Sequence, residues 1–216
     1  MAKIGVFDSG VGGKSVANAI QDALPNHVVI LREDRENLPY GTKSKEQLIH
    51  LVTPILKEMV SSGCDVIVIA CNTVTTVCIS ELREQFDVPL IGIEPMLKPA
   101  AALTKTGVIG VLATPGTLRS NRYKQLKKEY CKNVAVLEPD VSVWASLIQE
   151  NSINRTDIEE TITGLLAEKA DVIVLGCTHY HWIREEILEL SEGKAEVIQP
   201  EQPVIHQLKS VLVQLG

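Results

Sequence analysis

Short apolar runs rich in Val and Ile alternate with longer amphipathic stretches along the first hundred residues. Apolar runs of this length are typical of strands buried in a parallel sheet, and they are residues 4–7, 28–31, 66–70 and 90–93. The stretches between them carry helical periodicity, at residues 13–24, 45–62 and 74–86. Strands that alternate with helices predict a doubly wound α/β fold.

Helix-end signals accompany some of these stretches. Ser44 with Gln47 predicts a capping box for the second helix, and Thr156 with Glu159 predicts another in the second half. Pro54 lies inside the 45–62 pattern, so it predicts a kink or a late helix start. A last helix is predicted near residues 203–214, where it can cross back onto the first half.

The second half of the chain repeats the first. Four pairs of segments agree in one register, at a separation of about 106 residues. They are DVIVIACNT with DVIVLGCTH, IGVFDSG with IGVLATP, VVILRED with VAVLEPD, and LIGIEP with VIQPEQ. We therefore predict two similar doubly wound parallel-sheet domains related by pseudo-twofold symmetry, with the active site in the cleft between them. The predicted domains are residues 1–95 with 203–216, and residues 96–202.

Charge and composition narrow the function classes. The chain has 21 Lys and Arg against 27 Asp and Glu, so it has no excess of positive charge to neutralise phosphates. Only 4% of its residues are aromatic, so few side chains can stack on unpaired bases. No apolar run approaches the ~20 residues that cross a bilayer, and MAKIGVFDSG does not have the pattern of a secretory signal. We expect a cytoplasmic protein that binds neither nucleic acid nor a membrane.

Polar residues follow the predicted strands at the points where ligands bind in such sheets. The segments are Asp8-Ser9-Gly10, Cys71-Asn72-Thr73, Thr114-Pro115-Gly116-Thr117 and Cys177-Thr178-His179. If the two halves face each other, Cys71 and Cys177 approach one cleft from opposite sides. The other cysteines, Cys64, Cys78 and Cys131, lack polar neighbours of this kind and are interpreted as structural.

Two opposed thiols suit the inversion of a stereocentre by proton transfer, which needs a base on one face and an acid on the other. A free thiol pKa of ~8.5 predicts that one can be thiolate and the other thiol near neutral pH. Asp8 is a candidate proton acceptor beside Cys71, and His179 is a candidate beside Cys177. No Cys or His spacing typical of zinc is present in the sequence.

Six motifs in this order resemble the glutamate racemase branch of the aspartate/glutamate racemase family. They are IGVFDSGVGG, LPYGTKS, ACNT, IEPMLKPA, ATPGTLRS and GCTHY. The resemblance implies an isomerase that interconverts L- and D-glutamate without pyridoxal phosphate, any other cofactor or a metal. It also implies a supply of D-glutamate for peptidoglycan, cell wall biogenesis and cell shape. The expected partner is the small molecule glutamate, with a homodimer as an open alternative to a monomer.

Position by position, the resemblance places the family's catalytic cysteines on Cys71 and Cys177, its carboxylate on Asp8 and its histidine on His179. It implies that Cys71 works on the D-enantiomer and Cys177 on the L-enantiomer. Besides Asp8 and His179, the expected substrate-binding positions are Ser9, Pro39, Tyr40, Gly41, Asn72, Thr73, Thr114, Thr117 and Thr178.

The sequence departs from the family pattern near the second cysteine. Relatives carry a glutamate paired with the histidine, where Gln149 aligns best here and Glu150 is adjacent. These two residues are therefore auxiliary candidates, and a glutamine would weaken the proton relay on that side. His181 replaces the usual proline after GCTHY, and it has no evident partner pattern, so it is interpreted as a surface or packing residue.

Three other functions stay open at this point. The chain can be a racemase of the same superfamily that acts on aspartate or another acidic amino acid, or an impaired homologue that binds glutamate without exchanging its α-proton. Gly10 to Ser15 also resembles the end of a nucleotide-binding phosphate loop, although Asp8 stands where that motif needs glycine.

Overall fold

The computed structural model describes residues 1–215 and contains two four-stranded parallel sheets. The first is built from elements in the order β1 (Lys3–Asp8), α1 (Gly13–Ala23), β2 (Val28–Glu33), α2 (Lys45–Ser61), β3 (Val66–Ile69), α3 (Asn72–Arg83) and β4 (Leu90–Gly92). Two short 3-10 turns, Arg35–Asn37 and Tyr40–Thr42, lie between β2 and α2. The predicted strands and helices of this half are confirmed to within a few residues.

The second sheet follows from the next stretch of chain. Its elements are α4 (Leu97–Leu103), β5 (Val108–Ala113), α5 (Pro115–Arg119), α6 (Asn121–Tyr130), β6 (Ala135–Leu137), α7 (Trp144–Gln149), α8 (Arg155–Ala167), β7 (Val172–Gly176), α9 (Arg184–Ser191) and β8 (Glu196–Ile198). A 3-10 turn, Thr178–Ile183, joins β7 to α9, and α10 (Glu201–Leu215) ends the described chain.

The strand order confirms the internal repeat. The first sheet runs β2-β1-β3-β4 and the second runs β6-β5-β7-β8. Even the register agrees, because Ile4 pairs with Val66 and the equivalent Ile109 pairs with Val172. Each sheet is buried on both faces, as the continuous apolar runs require.

The last helix packs on the first sheet. Val204, Ile205 and Leu208 of α10 share one buried cluster with Ile4 and Val6 of β1. This contact agrees with the expectation that the chain crosses back after the second half. Gly216, the last residue of that predicted domain, lies outside the described residues.

The predicted cap of one helix and the late-start alternative for another are wrong. The helix α8 is capped by Asn154, whose side chain accepts a hydrogen bond from the Thr156 amide, so Thr156 is not the cap. The helix α2 does not start late at Pro54, because it begins at Lys45 after the predicted capping box at Ser44 and buries Leu48 and Met59 on either side of the proline. Packing of that apolar face outweighs the ~3 kcal/mol that an internal proline costs.

Candidate active site

The two candidate cysteines occupy equivalent places in the two halves. Cys71 follows β3 and is the residue before α3, and Cys177 follows β7 and precedes the 3-10 turn Thr178–Ile183. Both side chains are buried, with 5% and 7% exposure. Each sulfur therefore sits at the start of a helical segment, where free backbone N–H groups favour a negative charge.

Both cysteines line one cavity between the two halves. Its lining residues are Ser9, Leu38, Pro39, Tyr40, Gly41, Thr42, Cys71, Asn72, Thr73, Thr114, Pro115, Ser142, Ala145, Cys177, Thr178 and His179. The cavity measures about 20 Å³, enough for one water molecule. A cavity of this size is too small for an amino acid, so the cleft is closed in this structure.

Direct contacts across the cleft hold the two halves together. The Thr178 hydroxyl donates a hydrogen bond to Asp8 Oδ1 at 3.0 Å, and the hydroxyls of Thr73 and Thr114 are 2.8 Å apart. The loop after β1 approaches so closely that a Cβ on Gly12 would lie 2.5 Å from the backbone of Thr178. Only glycine fits at this crossing.

Asp8 lies directly behind the cavity and is fully buried. Its Oδ2 accepts hydrogen bonds from the amides of Gly10 and Gly13, in addition to the Thr178 contact at Oδ1. Burial raises the pKa of Asp8 to about 6, and these hydrogen bonds oppose that rise. At neutral pH the group is a carboxylate that is readily protonated, which is the property that a proton acceptor needs.

The surroundings of Cys71 shift the pKa of its thiol in opposite directions. The Ser9 hydroxyl donates to Cys71 Sγ at 3.4 Å. Burial, followed by the negative charge of Asp8, raises the pKa of Cys71 to about 11, while Ser9 and the amides of Val74 and Thr73 lower it. Donors to the Cys71 thiolate are therefore in place, while burial and the charge of Asp8 oppose its formation.

On the opposite side, His179 lies beside Cys177. Its Nδ1 is 3.8 Å from Cys177 Sγ, and its Nε2 is 3.2 Å from Gln149 Oε1. Because an amide oxygen can only accept, Nε2 carries the hydrogen and Nδ1 presents its lone pair to the thiol. Gln149 Oε1 also accepts from the Val11 amide at 3.1 Å, which fixes its position. Burial lowers the pKa of His179 to about 4.

Burial of both cysteines opposes the expected ionisation of one thiol near neutral pH. Burial is the largest influence on both cysteines, and it raises the pKa of Cys177 as well as that of Cys71. A positively charged ligand in the cleft would favour the thiolate, since an opposite charge nearby stabilises the ionised form. The α-ammonium group of an amino acid is such a ligand.

Other predicted positions lie at different distances from the cavity. Asn72 donates through Nδ2 to the Ile93 carbonyl, and its buried Oδ1 has no hydrogen-bond partner within residues 1–215. The Tyr40 hydroxyl donates to Asp34 Oδ2 at 2.6 Å, which fixes the Pro39–Gly41 loop against the cavity. Thr117 is buried behind Thr114, at 3.2 Å between their hydroxyls.

The two auxiliary candidates separate clearly. Gln149 lies behind His179 and contacts it, whereas Glu150 ends α7 with its side chain exposed to solvent. Within the described chain, no contact joins Glu150 to the cavity. The structure thus brings Gln149, and not Glu150, to the second cysteine.

Five residues that line the cavity were not among the predicted site residues, namely Leu38, Thr42, Pro115, Ser142 and Ala145. Leu38, Thr42 and Pro115 lie within the motifs LPYGTKS and ATPGTLRS, so the predicted site residues beside them in sequence indicate that they are near the cavity. Ser142 and Ala145 come from the stretch between Asp140 and Asn154, where no motif marks them.

Of the two interpretations of His181, the structure supports the packing residue and not the surface residue, and it gives the side chain partners that the sequence did not indicate. His181 is buried, and its Nδ1 lies 3.0 Å from Ser15 Oγ and 2.9 Å from Glu201 Oε1. Its partners come from α1 and α10, which are far away in sequence, so no local pattern could reveal them.

The described residues form neither a metal-binding cluster nor a membrane-spanning helix. Between residues 1 and 215, no three His, Cys, Asp or Glu side chains come together as a metal site requires. Over the same range, no helix has the length and apolar character needed to cross a bilayer.

Curated proteins similar to this chain include several named glutamate racemase. A curated protein from Ectopseudomonas mendocina, named glutamate racemase, is 37% identical over 99% of this chain and 83% of its own length. Among solved structures, Escherichia coli glutamate racemase in complex with L-glutamate and the activator UDP-MurNAc-ala has a TM-score of 0.85 and 28% identity, covering 98% of this chain and 82% of its own.

A second solved structure agrees. Glutamate racemase from Francisella tularensis, in complex with D-glutamate, has a TM-score of 0.79 and 28% identity, covering 99% of this chain and 81% of its own. The sequence profile of the Asp/Glu/Hydantoin racemase family matches residues 13–208, which include both cysteines and His179. The chain therefore belongs to the Asp/Glu/Hydantoin racemase family.

Proposed function

We propose that this protein is an isomerase that interconverts L- and D-glutamate without a cofactor, with Cys71 and Cys177 as the two bases at Cα. The observation that carries the proposal is the presence of both sulfurs on the walls of one closed cavity, at equivalent ends of β3 and β7. Family membership supports the same reaction type.

In the L-to-D direction, the Cys177 thiolate takes the α-hydrogen as a proton. The electrons of the broken Cα–H bond stay on Cα and spread into the adjoining carboxylate group. The Cys71 thiol then delivers its proton to the opposite face of Cα and becomes the thiolate. Protons and electrons balance, and the reverse direction exchanges the roles of the two sulfurs.

Asp8 and His179 set the protonation states before and after this exchange. His179 Nδ1 accepts the proton of Cys177, to which it is already close. Asp8 acts on the Cys71 side as the buried carboxylate that takes up a proton when that thiol ionises, a role that its pKa of about 6 supports. We assign Ser9 to hold the Cys71 thiolate, because its hydroxyl already donates to the sulfur.

The α-hydrogen of an amino acid is a very weak acid, so the site must stabilise negative charge in the transition state. The first amides of α3 and of the 178–183 turn supply fixed donors, and the closed cavity keeps out water that would screen them. We assign Asn72 Oδ1, which is buried without a protein partner in the described chain, to accept from the substrate ammonium group. The further positions assigned to substrate are Pro39, Tyr40, Gly41, Thr73, Thr114, Thr117 and Thr178.

Glutamate is the proposed substrate because relatives named glutamate racemase align over most of the chain. D-glutamate for peptidoglycan is the proposed product use, with roles in cell wall biogenesis and cell shape. All five cysteines are free, which suits a reducing compartment such as the cytoplasm. A homodimer is the assembly state to be tested by sedimentation.

The phosphate-loop alternative fits poorly. The amides of Gly10 and Gly13, which a phosphate would need, already donate to Asp8, and a second anion there would be repelled by its carboxylate. Tight magnesium-dependent ATP binding would revive this alternative.

The deciding experiment offers L- and D-forms of glutamate and aspartate separately, without pyridoxal phosphate, in D₂O. Circular dichroism follows the loss of ellipticity as one enantiomer becomes a mixture, and mass spectrometry follows deuterium at Cα. We expect glutamate to racemise with one deuterium incorporated. Faster turnover of aspartate would assign the alternative substrate, and binding of glutamate without exchange would identify an impaired homologue.

A further inference from the structure

We propose that Ser15, His181 and Glu201, named here the His181 cluster, position His179 beside Cys177. The inference rests on the proposed function, because it assigns residues to the Cys177 half of that reaction. His181 Nδ1 lies 3.0 Å from Ser15 Oγ and 2.9 Å from Glu201 Oε1. These contacts tie the 178–183 turn to α1 and to the start of α10.

The hydrogen-bond directions within the cluster are determined by Ser15. Its hydroxyl donates to the Gly12 carbonyl at 2.9 Å, so its oxygen accepts from His181. Nδ1 of His181 therefore carries a hydrogen, which points at both the Ser15 oxygen and the Glu201 carboxylate. The His181 imidazole therefore donates to two elements, to α1 through Ser15 and to α10 through Glu201.

The His181 cluster buries polar atoms, and this burial disfavours folding. The side chains of His181 and Glu201 are 1% and 9% exposed, and His181 Nε2 and Glu201 Oε2 are buried without a partner among residues 1–215. Apolar residues of the same shape are often as stable as a buried polar pair, and unpaired buried polar atoms carry a further penalty. Stability alone therefore does not explain these residues.

The cluster acts on the segment that carries His179. His179 and His181 lie in the same 3-10 turn, and burial followed by the neighbouring His181 lowers the pKa of His179, so the two rings are within electrostatic reach. The turn is held a second time where the Trp182 indole N–H donates to the Val11 carbonyl. Releasing His181 would let the turn rotate and move His179 Nδ1 from its 3.8 Å contact with Cys177 Sγ.

The test compares His181→Leu, which removes the donor, with His181→Asn, whose amide N–H can replace Nδ1. His206→Leu, on the exposed face of α10, is the matched control. We expect His181→Leu to lower kcat about tenfold or more with a smaller change in KM, because a misplaced catalytic group slows chemistry rather than binding. His181→Asn should recover most of kcat, and His206→Leu should change it less than twofold.

A second readout separates positioning from a general loss of structure. With α-deuterated substrates, His181→Leu should raise the primary isotope effect for L-glutamate, which Cys177 deprotonates, more than that for D-glutamate. Equal increases for both enantiomers, or equal kcat for the Leu and Asn variants, would overturn the proposal. Unfolding midpoints of all variants establish that each is folded at the assay temperature.

If the wild-type protein does not racemise glutamate, the proposed function fails while the cluster can still be tested. The ¹⁵N shifts of the His179 ring report which nitrogen carries the hydrogen. We expect Nε2–H in the wild type and in His181→Asn, and a mixture of the two forms in His181→Leu. Identical His179 shifts in all three proteins would overturn the positioning role without reference to activity.

Discussion

Replacing Gln149 with glutamate should strengthen the base on the Cys177 side. Gln149 Oε1 accepts from the Val11 amide at 3.1 Å and from His179 Nε2 at 3.2 Å. A glutamate can place one carboxylate oxygen at the same point, so Gln149→Glu keeps both contacts and adds a negative charge next to the ring. The charge favours the imidazolium form of His179, which arises when the ring accepts a proton from Cys177.

The size of the effect follows from the change in this hydrogen bond. A neutral hydrogen bond contributes about 1 kcal/mol, and a charge-assisted one contributes about twice as much. An additional 1.4 kcal/mol raises a pKa by about one unit. We therefore expect Gln149→Glu to raise the pKa of His179 from about 4 by about one unit, and to speed proton removal from Cys177 by up to about tenfold.

The assay combines NMR titration of the His179 ring with initial rates for L-glutamate. Glu150→Gln is the matched control, because it changes the charge one residue away on a side chain that faces solvent. We expect that control to leave both the His179 pKa and kcat unchanged. A His179 pKa that stays the same or falls in Gln149→Glu would refute the reasoning, since the ring would then not be supported through Nε2.

Two further substitutions test the geometry around Asp8 and His179. A Cβ at Gly10 would lie 2.6 Å from His179 Nε2 and 2.7 Å from Gln149 Oε1, so Gly10→Ala should separate this pair and lower kcat about fivefold or more. Gly164→Ala in α8, where a Cβ meets nothing within 4 Å, is its control, and equal kcat for the two variants would contradict the expectation. Asp8→Asn should abolish racemisation and also change the pH dependence of stability. Burial raises the pKa of Asp8 from its ordinary 3.8 to about 6, so the folded state binds this proton more tightly; the contribution of Asp8 to stability is therefore fully present below about pH 4 and is lost as pH rises through 6, by up to about 3 kcal/mol. In urea unfolding, the free energy of unfolding of Asp8→Asn relative to that of the wild type should therefore be higher at pH 8 than at pH 4. The same difference at both pH values would contradict this account.

Much of the fold could be predicted from the sequence because its signals are local and periodic. Apolar runs predict β1 and β3, and the repeat correctly relates the Ile4–Val66 pair to Ile109–Val172. Ser44 with Gln47 predicts a cap that the structure confirms, since its two partners are three residues apart. The placement of Cys71 and Cys177 on one cavity follows from strand ends that meet between two similar halves.

The features that escaped prediction depend on contacts distant in sequence or on burial. The Asn154 cap required a choice between two adjacent polar residues, which spacing alone did not decide. His181 is paired with Glu201 through the packing of α10, and no local pattern encodes that contact. The raised pKa values of the two cysteines come chiefly from desolvation, and therefore from closure of the cleft rather than from the residues beside them in sequence.

The most direct measurement of the two-base account is the exchange of the α-hydrogen by variants that keep one thiol. Cys71→Ser and Cys177→Ser are incubated separately with L- and D-glutamate in D₂O, and Cα deuterium is measured in the recovered enantiomer. We predict that both variants lose racemisation by at least about a hundredfold, that Cys71→Ser still exchanges L-glutamate, and that Cys177→Ser still exchanges D-glutamate. A variant that racemises at the wild-type rate, or two variants that exchange the same enantiomer, would contradict the claim that each sulfur serves its own face of Cα.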